Sequence, residues 1–156
     1  MKVIDIVDED LINYKKPNMF IITSRCSFKC DREFGTTICQ NSNLANSKIL
    51  NIDDDIIIQR YINNPITHAI VFGGLEPFDQ FNELLNLIAK FRKCTHDDIV
   101  IYTGYNKDEI KRELNVLKKY IRIIVKFGRY IPNQQPHYDE LLGVNLASDN
   151  QYAAYI

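Results

Sequence analysis

Along the chain, short β-branched runs alternate with longer stretches whose apolar residues recur at helical spacing, the pattern of α/β units. Met19–Thr23 (MFIIT), His68–Phe72 (HAIVF), Asp98–Thr103 (DIVIYT) and Arg122–Phe127 (RIIVKF) read as strands, with further strands at Val3–Val7 and Asn150–Tyr155. Three helices are predicted between them. Asp53–Asp55 supplies an N-cap and acidic first turn to a helix running to about Ile62. Asp79 is placed to cap the second, whose apolar face is Phe81, Leu84, Leu85, Ile88 and Phe91. Asn106, with Glu109 three residues on, opens the third as a capping box, and Ile110, Leu114, Leu117 and Ile121 form its buried stripe.

Strands joined through helices run parallel with right-handed crossovers, and such sheets gather ligands at the carboxyl ends of their strands. A long polar segment, about Ser24–Lys48, follows the first core strand; Gly73-Gly74, Gly104 and Gly128 follow the next three. Four candidate functional loops therefore converge on one edge.

The 156 residues, 46% hydrophobic, supply one core and one domain over 1–156. They fall short of the roughly 250 residues of a complete eight-unit α/β barrel. Lys and Arg number 19 against 20 Asp and Glu, so the net charge of −1 gives no reason to expect a nucleic-acid or membrane partner. With no apolar run near ~20 residues and no signal-peptide pattern after Met1, a cytoplasmic protein is expected.

Cys26, Cys30 and Cys39 form a C-x3-C-x8-C set, with Cys94 apart and expected to be a partly buried, unliganded thiol. Soft thiolates in this cluster suit a metal better than disulfides, and on spacing alone an iron–sulfur cluster and zinc are equally served. Three ligands would leave one iron of a cubane open to a substrate. Arg25, Lys29 and Arg32 are expected to lower the thiol pKa values and offset the cluster charge. After the second core strand, Gly73-Gly74-Leu75-Glu76-Pro77 combines close backbone approach with a carboxylate able to receive an ammonium group, although a plain turn has the same residues. His68, His96 and His137 show no metal spacing.

A cysteine loop after one core strand and a GGxEP turn after the next resemble the radical S-adenosylmethionine superfamily. Tyr102-Thr103-Gly104-Tyr105 and the late Ser148-Asp149-Asn150-Gln151 are similar to strand-end and tail motifs of the activases of anaerobic ribonucleotide reductase. The resemblance runs from about Met19 to Ile156. It implies an incomplete parallel βα barrel, a [4Fe–4S] cluster held by Cys26, Cys30 and Cys39, and S-adenosylmethionine as cofactor. Gly73, Gly74 and Glu76 would hold the methionine part and Ile38 would pack on the adenine. Gly104, Tyr105, Ser148 and Asn150 would wall the nucleoside. It further implies a large glycyl-radical partner, anaerobic ribonucleotide reductase, and a reductant such as flavodoxin or ferredoxin. Two departures stand out: eight residues separate the second and third cysteines where two are usual, and Phe127-Gly128 replaces an Asp-Gly pair. The remaining readings are a small radical enzyme acting on a small molecule or peptide, and a zinc-stapled binding module without catalysis.

Overall fold

Four of the expected strands form the centre of one sheet and run parallel: β2 (Asn18–Thr23), β4 (Ala69–Gly74), β5 (Asp98–Tyr102) and β6 (Ile123–Phe127). They are seen in a computed structural model that describes residues 1–156. Strand β1 (Lys2–Asp10) lies antiparallel beside β2 and carries the short β3 (Leu50–Asn51) on its outer edge. At the other side β9 (Tyr152–Tyr155) runs antiparallel to β6. The seven-stranded order β3-β1-β2-β4-β5-β6-β9 leaves two separate edges. The fold is thus a mixed α/β domain on an open, mostly parallel sheet, and no closed barrel forms.

The helices all pack on one face. Alternate residues of the central strands (Met19 and Ile21, Ile70 and Phe72, Ile99 and Ile101, Ile123 and Val125) bury against α2 (Asp54–Ile62), α3 (Phe81–Cys94) and α4 (Lys111–Leu117) in one core cluster of 23 residues. The opposite parity faces the other way, where Val71, Val100 and Ile124 meet Tyr14, Leu142 and Leu146. This second cover comes from the β1–β2 turn and a hairpin, β7 (His137–Asp139) with β8 (Val144–Leu146), which the alternation of the sequence did not announce. No helix is long and apolar enough to cross a membrane.

Local details adjust three expectations. Asp53 does cap α2, accepting the Asp55 N–H at 2.8 Å. Asp79 does not cap α3: Glu76 instead accepts the Phe78 N–H at the head of a 3-10 turn, Pro77–Gln80, that leads into the helix. Ile121 lies past the end of α4 and is exposed, whereas Ile110, Leu114 and Leu117 are buried. The capping-box carboxylate behaves as expected, with Glu109 accepting the Asn106 N–H at 2.8 Å.

At the amino end of β5, buried Asp98 accepts hydrogen bonds from Tyr14, Lys16 and Arg122. Although burial opposes ionisation, these donors hold its carboxyl below the usual range.

Candidate functional site

The carboxyl ends of β2, β4, β5 and β6 open on a cavity of about 520 Å³, on the face of the sheet that carries no helix. That volume falls within the roughly 300–1,000 Å³ common for small-molecule sites. Cys26, Cys30, Cys39, Gly73, Gly74, Glu76, Gly104 and Tyr105 all line it.

The polar loop after β2 is ordered by a short helix, α1 (Lys29–Phe34), and a 3-10 turn, Ser42–Asn46. It is fastened to the glycine turn at both ends. Near its start, the Arg25 carbonyl accepts the Glu76 N–H at 2.7 Å. Beyond Cys39, Asn41 Nδ2 donates to the Gly74 carbonyl at 2.9 Å. The Ser27 N–H donates to Asp79, whose other carboxylate oxygen accepts from the Tyr105 hydroxyl at 2.6 Å. Thiols and glycines so distant in sequence share one wall because these contacts hold them there.

The two glycines have different reasons. A Cβ on Gly73 would stand 2.9 Å from the Phe20 ring, which itself lines the cavity. Gly74 has φ +87°, and a Cβ there would stand 2.5 Å from Ile22 Cγ2.

Glu76 is buried and its carboxylate is used within the fold. Oε1 accepts from the Thr103 hydroxyl at 2.7 Å and the Phe78 N–H at 3.1 Å, and Oε2 accepts from the Gly104 N–H at 2.9 Å. Burial pushes the Glu76 carboxyl up to about 7 against the pull of these donors. It therefore clamps the glycine turn to the loop after β5, with one acceptor direction to spare.

Lys126, unforeseen as a site residue, projects from β6 into the cavity. It is buried, and Nζ has one hydrogen bond, to the Gly128 carbonyl at 2.9 Å. Burial lowers it to about 8, while the Glu76 charge acts in the opposite sense. Tyr105 lies between two cations, with Lys29 Nζ 5.6 Å and Arg129 Cζ 5.7 Å from the ring centroid. Glu109 pairs with both cations; Arg129, then Lys29, hold its carboxyl down at about 2.

The thiols are unpaired. Burial pushes Cys26 up to about 12; burial, followed by Cys39 and Asp31, pushes Cys30 up to about 11. The expected lowering by nearby cations is absent because Arg25 pairs with Glu83, Lys29 pairs with Glu109 and Glu33, and Arg32 is exposed. Buried protonated thiols give up their protons to a metal that binds them. No three His, Cys, Asp or Glu side chains converge closely enough for one metal ion. A cubane attaches each thiolate at a different corner, so thiols spread along one wall suit it better than they suit a single ion.

Three expected residues lie off the cavity lining. Ile38 sits half-buried, its N–H bonded to Asp31 at 2.9 Å. Ser148 and Asn150 stand behind the loop after β6. Asn150 Nδ2 donates to the Arg129 carbonyl at 3.0 Å, and Ser148 Oγ accepts the Ile131 N–H at 3.3 Å. Gln151, in contrast, lines the cavity and donates to the Gly128 carbonyl at 3.2 Å. Cys94 ends α3 and is exposed, not partly buried.

Residues 18–151 match the family described as "4Fe-4S single cluster domain". The chain is also 26% identical over 133 residues to the anaerobic ribonucleoside-triphosphate reductase-activating protein of Haemophilus influenzae, covering 80% of this chain and 81% of that one. No solved structure matches it.

Proposed function

The chain belongs to the 4Fe–4S single cluster domain family, and on that premise we propose that it is a radical S-adenosylmethionine activase that installs a glycyl radical on anaerobic ribonucleotide reductase. The observation that carries this reading is the stitching of the cysteine loop to the glycine turn around one cavity, through Arg25–Glu76 and Asn41–Gly74. A cluster ligand set and a nucleoside-sized space then meet at one edge of the sheet. The likeness to an activating protein over 80% of the chain supports the substrate class.

In this reading Cys26, Cys30 and Cys39 hold a [4Fe–4S] cluster. When bound and reduced, the cluster supplies one electron to the sulfonium, whose S–C5′ bond breaks to give methionine and a 5′-deoxyadenosyl radical. The chain's own residues bind and orient. The Gly73-Gly74 backbone admits the methionine part, and buried Lys126 presents a fixed cation to its carboxylate. Glu76 keeps the loops after β4 and β5 together so that Gly104 and Tyr105 face the nucleoside. Phe20, Ile22 and Tyr102 give the cavity an apolar floor that excludes water from the reacting bond.

The test is anaerobic reconstitution with iron and sulfide, then addition of S-adenosylmethionine and dithionite, alone and with an anaerobic ribonucleotide reductase. A brown protein that releases 5′-deoxyadenosine, and a glycyl radical signal on the reductase, are the expected outcomes. Both disappear in Cys39→Ala. A colourless, zinc-loaded protein that folds and takes up no iron would overturn the reading.

A further inference from the structure

Eight residues, Asp31 to Ile38, separate Cys30 from Cys39, and the first of them reaches the far end of the interval. Asp31 Oδ1 accepts the backbone N–H groups of Ile38 and Cys39, each at 2.9 Å, and stands 3.9 Å from Cys30 Sγ. The Asp31 carbonyl accepts the Gly35 N–H at 2.9 Å, where Gly35, at φ 72°, turns the chain out of α1. Residues 32–37 are all exposed, while Cys30, Ile38 and Cys39 are half-buried. The extra chain is looped out to solvent and its two ends are tied at one side chain.

We propose that Asp31 is a positioning residue that closes this loop and sets the Cys39 thiol beside that of Cys30, so that the long spacer still delivers both ligands to one cluster. The inference rests on reading Cys30 and Cys39 as ligands of the same cluster. Without the tie, a flexible spacer would let Cys39 roam, and the loop-closure entropy would weigh against metal capture. Two N–H donors on one carboxylate oxygen oppose that entropy, since hydrogen bonds to charged groups are the stronger kind. A carboxylate beside thiolates is electrostatically unfavourable. Its use here is therefore explained by the acceptor it offers and not by its charge.

The test uses the full chain carrying Cys26→Ser and Cys94→Ser, leaving Cys30 and Cys39 as its thiols, with phenylarsine oxide as the probe. The arsenical forms two As–S bonds with a close pair of thiols, and its oxygen leaves with the two thiol protons as water. One adduct per chain thus reports proximity with no iron present. Asp31→Ala is expected to weaken capture about tenfold, through loss of both N–H bonds. Asp31→Asn keeps an oxygen at that position and is expected to retain the parent affinity. Capture by Asp31→Ala equal to the parent would overturn the proposal, as would an Asp31→Asn chain that falls as far as Asp31→Ala. In the chain with its native cysteines, iron bound per chain after anaerobic loading should follow the same order. If the arsenical order holds but no variant or parent takes up iron, the positioning role stands and the cluster reading fails.

Discussion

Gly74→Ala tests whether the glycine turn is required by its backbone, by its packing, or by both. The residue sits at φ +87°, where an L side chain costs roughly 1–2 kcal/mol. The new methyl would also stand 2.5 Å from Ile22 Cγ2 and 3.3 Å from Ile22 Cα. Ile22 yields poorly: its χ1 is restricted, and β2 is held in register by the Ile22–Gly73 and Thr23–Gly74 pairings. Overpacking of this kind costs roughly 1–3 kcal/mol. The substitution should therefore destabilise the protein by roughly 2–5 kcal/mol. Ile22→Ala removes the offending Cγ2 and leaves a contact of 3.4 Å to Cβ. In the double variant the overlap is relieved and the backbone strain persists, so the two substitutions should be less costly together than their sum by about 1–3 kcal/mol. Urea unfolding of the four proteins, followed by circular dichroism, measures the cycle. Additivity within about 0.5 kcal/mol would refute the packing half of the argument. Because the Gly74 carbonyl also holds Asn41, Gly74→Ala should lose cluster iron more readily on dilution than the parent.

Replacing Cys26, Cys30 or Cys39 by alanine should each abolish iron retention after reconstitution, while Cys94→Ala leaves iron per chain unchanged; the reverse pattern for Cys39 and Cys94 would overturn the ligand assignment. Asp98→Ala strips partners from buried Tyr14 and from Arg122, and should cost roughly 3 kcal/mol, seen as a lower thermal midpoint with cluster content intact. Because the folded-state pKa of Asp98 lies below its unfolded value, its contribution is present above about pH 4 and is lost as pH falls through the depressed value; Asp98→Asn should flatten that acid limb of the stability curve. Lys126 has the opposite sense. Its pKa is lowered to about 8, so the unfolded chain binds the extra proton above that pH and stability should rise from pH 8 toward 10, a rise that Lys126→Met removes.

The parallel centre of the sheet was legible because apolar runs such as HAIVF and RIIVKF, separated by helical periodicity, admit few other arrangements. Both antiparallel edges and the β7–β8 hairpin were harder to see, since three-residue strands such as His137–Asp139 leave almost no period to detect. The cysteines and glycines were found by type and spacing. Lys126 was the signal overlooked: one lysine inside an otherwise apolar strand, on the parity opposite to the helix-facing Ile123 and Val125, already points to a buried polar task. Ser148 and Asn150 show the converse error. Their side chains are polar and close to the site in sequence, but they hold the Arg129 loop from behind, and only coordinates distinguish a wall from its support.

The place of the cavity follows from how few parallel strands the chain can afford. With helices on one face, the other face of the sheet needs a separate cover. The hairpin and the β1–β2 turn cover its lower half through Tyr14, Leu142 and Leu146. The upper half, at the strand ends where Phe20, Ile22, Tyr102 and Lys126 project, receives no such cover and becomes the cavity. The cysteine loop is the element that spans this opening. Its attachments are polar: Arg25 and Asn41 to the glycine turn, Ser27 to Asp79, and Lys29 to Glu109. Polar tethers at a partly exposed rim are weaker than apolar packing and respond to salt, so the loop is the part of the site best suited to shift when a ligand enters. The helix-backed strands beneath it are the fixed reference against which a reacting bond is held.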